Sequence, residues 1–112
     1  MENTKIMKLM SSSEFDEIRK TCDTIILPVG AIEVYGPHMP MGTDIIVAQD
    51  IAKLVAEKVN AIVGPSLEVG ESYSLSLYPG TLYLRPETWS AVISDYMKSL
   101  IKWGFKNFMF IN

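Results

Sequence analysis

Residues 24–44 read Thr24-Ile-Ile-Leu-Pro-Val-Gly-Ala-Ile-Glu-Val-Tyr-Gly-Pro-His-Met-Pro-Met-Gly-Thr-Asp44, and this stretch decides the fold. Residues 24–29 form an apolar run without polar alternation, which is typical of a strand buried on both faces. Residues 30–42 hold three glycines and two prolines, so they cannot form a regular helix or strand. The stretch therefore predicts a buried strand that ends in a loop, and this loop carries the only histidine, His38.

Helical and strand patterns alternate on either side of this stretch. Apolar residues recur at intervals of three and four in the segments that we predict to be helical, and Trp89 and Trp103 are expected in the core. Asp44 or its neighbour Thr43 could cap the second helix. The predicted elements are a helix at 12–20 capped by Ser12 or Ser13, strands at 24–29, 61–63 and 107–111, a helix from 43 to about 60, and a helix from Pro86 to the Gly104 cap.

Strands joined by helical crossovers are parallel in nearly all known cases. The predicted fold class is therefore α/β, with a parallel sheet flanked by helices, and residues 1–112 are expected to form a single domain. In such sheets the ligand site lies outside the carboxyl ends of the strands, where the loops 30–42 and 65–81 converge. A sheet of only three strands leaves an exposed edge, so we expect assembly into a homo-oligomer.

The composition and net charge argue against a disordered chain and against some classes of partner. Hydrophobic residues make up 48% and charged residues 21%, which is ordinary for a globular domain and unlike a disordered chain. The net charge of −3, without a basic cluster, argues against nucleic acid or a membrane surface as partner. The single cysteine, Cys22, and the lack of a signal peptide or of an apolar run of roughly 20 residues predict a soluble, cytoplasmic protein.

Two carboxylates and an imidazole stand at the predicted mouth of the sheet. Glu33, His38 and Asp44 offer the oxygen and nitrogen ligands that divalent cations prefer, so the spacing suggests a metal site. Alternatives remain open on spacing alone. Glu33 could be a solvated loop acid, Asp44 could only cap the following helix, and His38 could be an ordinary turn residue.

Several irregular segments resemble the creatininase (creatinine amidohydrolase) family in order and spacing. They are Pro28-Val-Gly-Ala-Ile-Glu33, Gly36-Pro-His-Met-Pro40, Asp44, Gly70-Glu-Ser72 and Tyr78-Pro-Gly-Thr81. The similarity spans about residues 24–112. It implies a three-layer α/β/α, creatininase-like fold, of which this chain would hold the first βαβαβ portion.

The resemblance also implies roles for individual residues. Glu33 matches a ligand of one metal and Asp44 matches the aspartate that bridges two metals, which would be zinc or manganese, with iron also possible. Paired cations of this kind activate a water molecule and polarise the scissile carbonyl. His38 matches a histidine that lines the pocket, and we predict a catalytic role for it. The predicted substrate-binding residues are Tyr35, Ser72, Tyr78 and Thr81.

Three departures from the family pattern bear on activity. Tyr35 stands where the family has a histidine ligand, and a phenol that keeps its proton at neutral pH is a poor ligand. Leu75 stands where many members have another active-site histidine. The family continues with an Asn-Gly-His block that supplies further ligands, whereas this sequence stops at Asn112, so we expect an incomplete domain.

The leading hypothesis is a metal-dependent hydrolase that acts on a small cyclic or amide-like substrate, provided that the sequence continues beyond residue 112. The resemblance covers opening of cyclic amides, deformylation, peptide trimming and opening of an oxidised cyclitol ring. The alternative is a catalytically inactive α/β scaffold or assembly protein that has lost the metal centre, as Tyr35 and Leu75 would suggest. A nucleotide-binding module is disfavoured because the chain lacks the glycine-rich phosphate-binding motifs.

Overall fold

The computed structural model of the protein describes residues 5–112. The elements are α1 (Ser12–Ile18), β1 (Thr24–Pro28), α2 (Thr43–Lys58), β2 (Ile62–Val63), α3 (Pro86–Lys102) and β3 (Asn107–Ile111), with short 3-10 turns at Met7–Leu9 and Tyr73–Leu75. None of the helices in the described range is both long and apolar enough to cross a membrane. The prediction that no signal peptide is present falls in part on residues 1–4, which lie outside the described residues.

The three strands form one parallel sheet, as predicted, and their order is β2-β1-β3. Ile25 of β1 lies opposite Ile62 of β2 and Phe108 of β3. The central strand is wholly enclosed, since Ile25, Ile26 and Leu27 have no exposed surface. Full burial of each such side chain contributes roughly 1.5–3 kcal/mol, so β1 anchors the fold.

Helices cover both faces of the sheet. Alternate side chains of a strand point to opposite faces. Ile26 accordingly packs with Ala52 and Ala56 of α2, while Ile25 belongs to the cluster on the other face that includes Leu100 of α3. In that second cluster the Phe15 ring of α1 lies 5.9 Å from the ring of Phe105. The protein is therefore an α/β/α sandwich with α2 on one side and α1 and α3 on the other.

The helix ends agree with the predictions to within two residues, but the caps of α1 and α2 differ from those predicted, since Gly42 and not Thr43 or Asp44 is the N-cap of α2. Ser11, and not Ser12 or Ser13, caps α1: its hydroxyl accepts from the Glu14 amide at 3.1 Å, while its own amide donates to the Glu14 carboxylate at 2.8 Å. This reciprocal pair is a capping box. At the other end of the chain Gly104 follows α3 with φ of +101°, the left-handed conformation predicted for it.

The burial predicted for β3 is wrong. The strand spans the predicted residues, but Met109 remains 37% and Phe110 42% exposed. Trp103, expected in the core, is 42% exposed. In the part of the chain that the structure describes, β3 is an edge strand, so nothing covers its outer side. An apolar sequence pattern indicates that a strand can be buried, whereas its actual burial depends on which elements lie beside it.

Candidate functional site

Three backbone segments meet beyond the carboxyl end of β1. The Gly30 amide donates to the Leu67 carbonyl at 3.0 Å, which ties the loop after β1 to the loop after β2. A Cβ on Gly30 would lie 2.7 Å from Ile45 Cα in the first turn of α2, and a Cβ on Gly70 would lie 2.8 Å from the Gly30 carbonyl oxygen. Only glycine permits both approaches. The two glycines therefore bring the three site-bearing segments together.

A cavity of about 430 Å³ opens where these segments meet. Its walls come from the end of β1 and its loop, the first turn of α2, the second loop, the first turns of α3 and the residue after β3. The lining residues are Val29, Gly30, Ala31, Glu33, Asp44, Gly70, Glu71, Ser72, Pro86, Trp89, Ser90 and Asn112. The cavity thus holds both predicted metal ligands and one predicted substrate-binding residue.

Glu33 is held by its backbone and by its carboxylate. Its amide donates to the Met41 carbonyl at 3.1 Å, and the next amide, that of Val34, donates to Thr81 Oγ1 at 3.1 Å. Glu33 Oε1 accepts a hydrogen bond from Ser72 Oγ at 2.6 Å. Ser72 is only 6% exposed, and the hydrogen bond is partly buried. The reading of Glu33 as a freely solvated loop acid is therefore wrong.

Asp44 lies in the first turn of α2 and does not cap that helix. The N-cap is Gly42, and no side chain makes a capping hydrogen bond there. The neighbouring Thr43 hydroxyl donates to the Pro40 carbonyl at 2.5 Å. The Asp44 carboxylate instead lines the cavity, where the positive end of the helix dipole favours a negative charge.

The cavity carries negative charge and suits a cation. Glu71 joins Glu33 and Asp44 in its walls, and none of its described lining residues is basic. Such a cleft concentrates positive ions, and carboxylate oxygens are the ligands of hard divalent cations. Within residues 5–112, however, no three His, Cys, Asp or Glu side chains form a metal-binding group. The donors therefore fit a divalent metal in chemical kind but supply only part of a ligand set.

The other predicted site residues do not line this cavity. His38 is exposed, and its ring folds back on Gly36, so that a Cβ there would lie 3.2 Å from His38 Cε1. Tyr35 is half-buried in the same loop, and Tyr78 is 54% exposed. Thr81 uses its hydroxyl oxygen to hold the backbone next to Glu33. Their catalytic and substrate-binding roles stay predictions.

The beginning of α3 forms a wall that we did not predict. Pro86, Trp89 and Ser90 line the cavity, although the sequence pattern placed Trp89 in the core. The helical spacing of Trp89 with Ile93 is real, but the apolar stripe of α3 extends past the sheet as far as the cavity. The available signal was the position of Pro86: a helix that begins just after a site loop places its first turn beside the site.

Sequence comparisons connect this architecture to known proteins. The family model for Creatininase, described as creatinine amidohydrolase, matches residues 8–112 and so begins before the resemblance noted above. Creatinine amidohydrolase of Pseudomonas putida is 32% identical over 93 residues, which cover 79% of this chain and 36% of that protein. The 3-dehydro-scyllo-inosose hydrolase of Thermotoga maritima is 34% identical over 99 residues, covering 88% and 30% respectively.

Solved structures show the same fold. A structure described as creatininase Mn superposes with a TM-score of 0.88 at 28% identity, covering 95% of this chain and 44% of the other. A variant creatininase of the Zn-Zn type gives a TM-score of 0.86 at 28% identity, with 94% and 43% covered. The chain spans less than half the length of these relatives and structures. On the family match and the shared fold, the chain belongs to the creatininase family.

Proposed function

We propose that this chain carries part of the metal centre of a creatininase-family hydrolase that acts on a small cyclic or amide-like substrate. The observation that supports the proposal is that Glu33 and Asp44, eleven positions apart in sequence, line one cavity beyond the central strand. Zinc or manganese is the proposed metal, since similar structures are described as Mn and Zn-Zn forms.

In this proposal Glu33 and Asp44 hold the metal, together with ligands that the described residues do not provide. Lewis-acid polarisation of a carbonyl and activation of a water molecule are what a divalent cation supplies when bound. Trp89 and Pro86 offer an apolar wall to the carbon skeleton of the substrate. Glu71, at the exposed side of the cavity, adds to the attraction of cations.

Ser72 restricts the groups that the substrate can present. A hydroxyl has one hydrogen to donate and two lone pairs, and the Ser72 hydrogen is directed to Glu33. A substrate that contacts Ser72 would therefore have to donate an N–H or O–H, as an amide or a hydroxylated ring can. His38, Tyr35 and Tyr78 would reach such a substrate only by turning toward the cavity mouth, so their proposed roles rest on the family resemblance.

Metal content tests the proposal directly. Purified protein is loaded with Mn²⁺ or Zn²⁺, dialysed and analysed by mass spectrometry of the metal. We expect retention of metal by the wild type and loss in the Glu33→Gln/Asp44→Asn double variant. The matched control, Asp50→Asn/Glu57→Gln, removes the same charge from exposed positions of α2 and should retain metal. Equal metal content in the two double variants would overturn the proposal.

A substrate panel then addresses the reaction. The relatives are named for creatinine, for a mycofactocin precursor peptide and for 3-dehydro-scyllo-inosose, so these three compounds sample the chemistry of the family. We place a small molecule ahead of a peptide because the cavity measures about 430 Å³. Hydrolysis that disappears in the Glu33→Gln/Asp44→Asn variant but not in the Asp50→Asn/Glu57→Gln control is the expected outcome.

The second candidate is an inactive scaffold, and Tyr35 favours it. This residue replaces the histidine ligand of the family pattern and is half-buried in its loop outside the cavity walls. A wild-type protein that retains no metal after incubation with excess Mn²⁺ or Zn²⁺ would support the scaffold. Assembly as a homo-oligomer and a cytoplasmic location belong to both candidates as proposals.

A further inference from the structure

We infer that Ser72 is a positioning residue for Glu33: its hydroxyl holds one carboxylate oxygen, Oε1, so that the other, Oε2, would be available to a cation. The inference rests on the proposed function, because it concerns the same cavity. It differs from the substrate contact predicted for Ser72, since here the serine acts through the glutamate. The consequence is a metal affinity that depends on a side chain which touches no metal.

The hydrogen bond itself has the properties of a strong one. The Ser72 Oγ to Glu33 Oε1 distance is 2.6 Å, which lies in the ordinary range for the strong, charge-assisted bond from a hydroxyl to a carboxylate. In the described part of the chain Ser72 is the one buried polar side chain, at 6% exposure. A buried hydroxyl needs a partner, and Glu33 is the acceptor that the structure provides.

The loop that carries Ser72 is fixed on both sides. Before it, Gly70 packs against Gly30, and the Gly70 carbonyl accepts from the Leu84 amide at 2.9 Å. After it, the Ser72 carbonyl accepts from the Leu75 amide at 2.9 Å and opens a 3-10 turn. The hydroxyl therefore starts from a defined backbone position.

The glutamate end of the bond is fixed as well. The Ile32 carbonyl accepts from the Leu82 amide at 3.0 Å, and the Glu33 amide donates to the Met41 carbonyl at 3.1 Å. With backbone restraints on both residues, the short bond selects one orientation of a long, flexible side chain before any ligand arrives. Groups that orient a metal ligand in this way commonly change metal affinity about 10–100-fold when removed.

The test is titration of Mn²⁺ into the purified protein, with free Mn²⁺ measured by electron paramagnetic resonance. We expect Ser72→Ala to raise the dissociation constant about 10–100-fold. Ser72→Thr keeps the hydroxyl and should stay close to the wild type. The matched control is Ser66→Ala, which removes a hydroxyl from the same loop that accepts from Gln49 at 3.0 Å, and it should not change the affinity.

A double-mutant cycle separates positioning from a general structural effect. If Ser72 acts through Glu33, Ser72→Ala should add little to the loss already caused by Glu33→Ala. Thermal unfolding of the metal-free proteins reports any loss of stability independently of metal. An unchanged affinity in Ser72→Ala, or an equal loss in Ser66→Ala, would overturn the inference while leaving the proposed function intact. A wild type that binds no Mn²⁺ would overturn the proposed function and this inference with it.

Discussion

The loop after β1 consists of two halves that differ in how they are held. Residues 30–34, which we call the clamped half, are hydrogen-bonded to distant segments: the Gly30 amide donates to the Leu67 carbonyl and the Val34 amide to Thr81 Oγ1. Residues 36–40, which we call the open half, are exposed. The Pro40 carbonyl accepts hydrogen bonds only from the nearby Thr43, from its amide and its hydroxyl. The histidine that draws attention in the sequence lies in the open half, whereas the glutamate with a defined environment lies in the clamped half. Residue type alone therefore does not show which side chain is held in a defined orientation.

Gly30→Ala should lower the free energy of unfolding most, because it adds an atom where the clamped half packs most closely against α2. The added Cβ would lie 2.7 Å from Ile45 Cα, and backbone atoms cannot move aside as a flexible side chain can. We expect a loss of about 3 kcal/mol in the free energy of unfolding, the upper range for overpacking.

Urea unfolding measures this loss. Gly42→Ala is the control for Gly30→Ala, since its Cβ would meet side-chain atoms only at 3.7 Å, an ordinary contact distance. Equal unfolding midpoints for the two variants would show that the clamped half is not tightly packed.

Thr81→Val ranks second. Valine has the same shape but cannot accept the hydrogen bond of the Val34 amide, and an unsatisfied, partly buried donor costs about 1–2 kcal/mol. The change should also weaken Mn²⁺ binding, because it loosens the backbone beside Glu33. Thr43→Val is the counterpart at the end of the open half: the Thr43 hydroxyl, in the first turn of α2, donates to the Pro40 carbonyl in an exposed hydrogen bond, so we expect a smaller loss. A reversed order of the two unfolding free energies would contradict the comparison.

Gly36→Ala probes the open half through its backbone. Gly36 has φ of +72°, a left-handed conformation that costs an alanine roughly 1 kcal/mol. The added Cβ would also approach the His38 ring at 3.2 Å, but that exposed ring can turn away. Gly36→Asn, which tolerates this conformation better, should recover part of the loss in the same unfolding experiment.

His38→Ala should change stability least, by within about 0.5 kcal/mol, as expected of an exposed side chain. Mn²⁺ affinity should also remain that of the wild type, because His38 lies outside the cavity walls. Mn²⁺ titrations of His38→Ala and Glu33→Gln, carried out in parallel, measure the two affinities. An affinity loss equal to that of Glu33→Gln would mean that the open half closes over the metal, and the distinction between the halves would fail.

The fold was largely predictable because its signals are local. The apolar run of β1, the proline and glycine that bound α3, and the span Asn107–Ile111 of β3 all depend on nearby sequence. The burial of β3 was not predictable in this way, since it depends on what lies beside the strand. The position of Trp89 was not predictable either, because where the apolar face of a helix extends beyond the core depends on how the helix lies on the sheet.

The candidate site was predictable in part. That Glu33 and Asp44 line one cavity follows from topology: each lies beyond the carboxyl end of β1, one in the loop and one in the helix after it. The bond between Ser72 and Glu33 could not be foreseen, because it depends on the close approach of Gly70 to Gly30. Tyr35 and Tyr78 were chosen by their position in family motifs, which does not fix where a side chain points.

Within residues 5–112 the outer edge of β3 is unpaired, and this has a consequence for how these residues behave at high concentration. Residues 107–111, Asn-Phe-Met-Phe-Ile, contain neither proline nor charge, so they lack the gatekeeper residues that discourage cross-β aggregation. Lys106 stands next to the strand but outside it. In a preparation of residues 1–112 alone, precipitation should therefore increase with protein concentration, and the precipitates should bind amyloid-specific dyes.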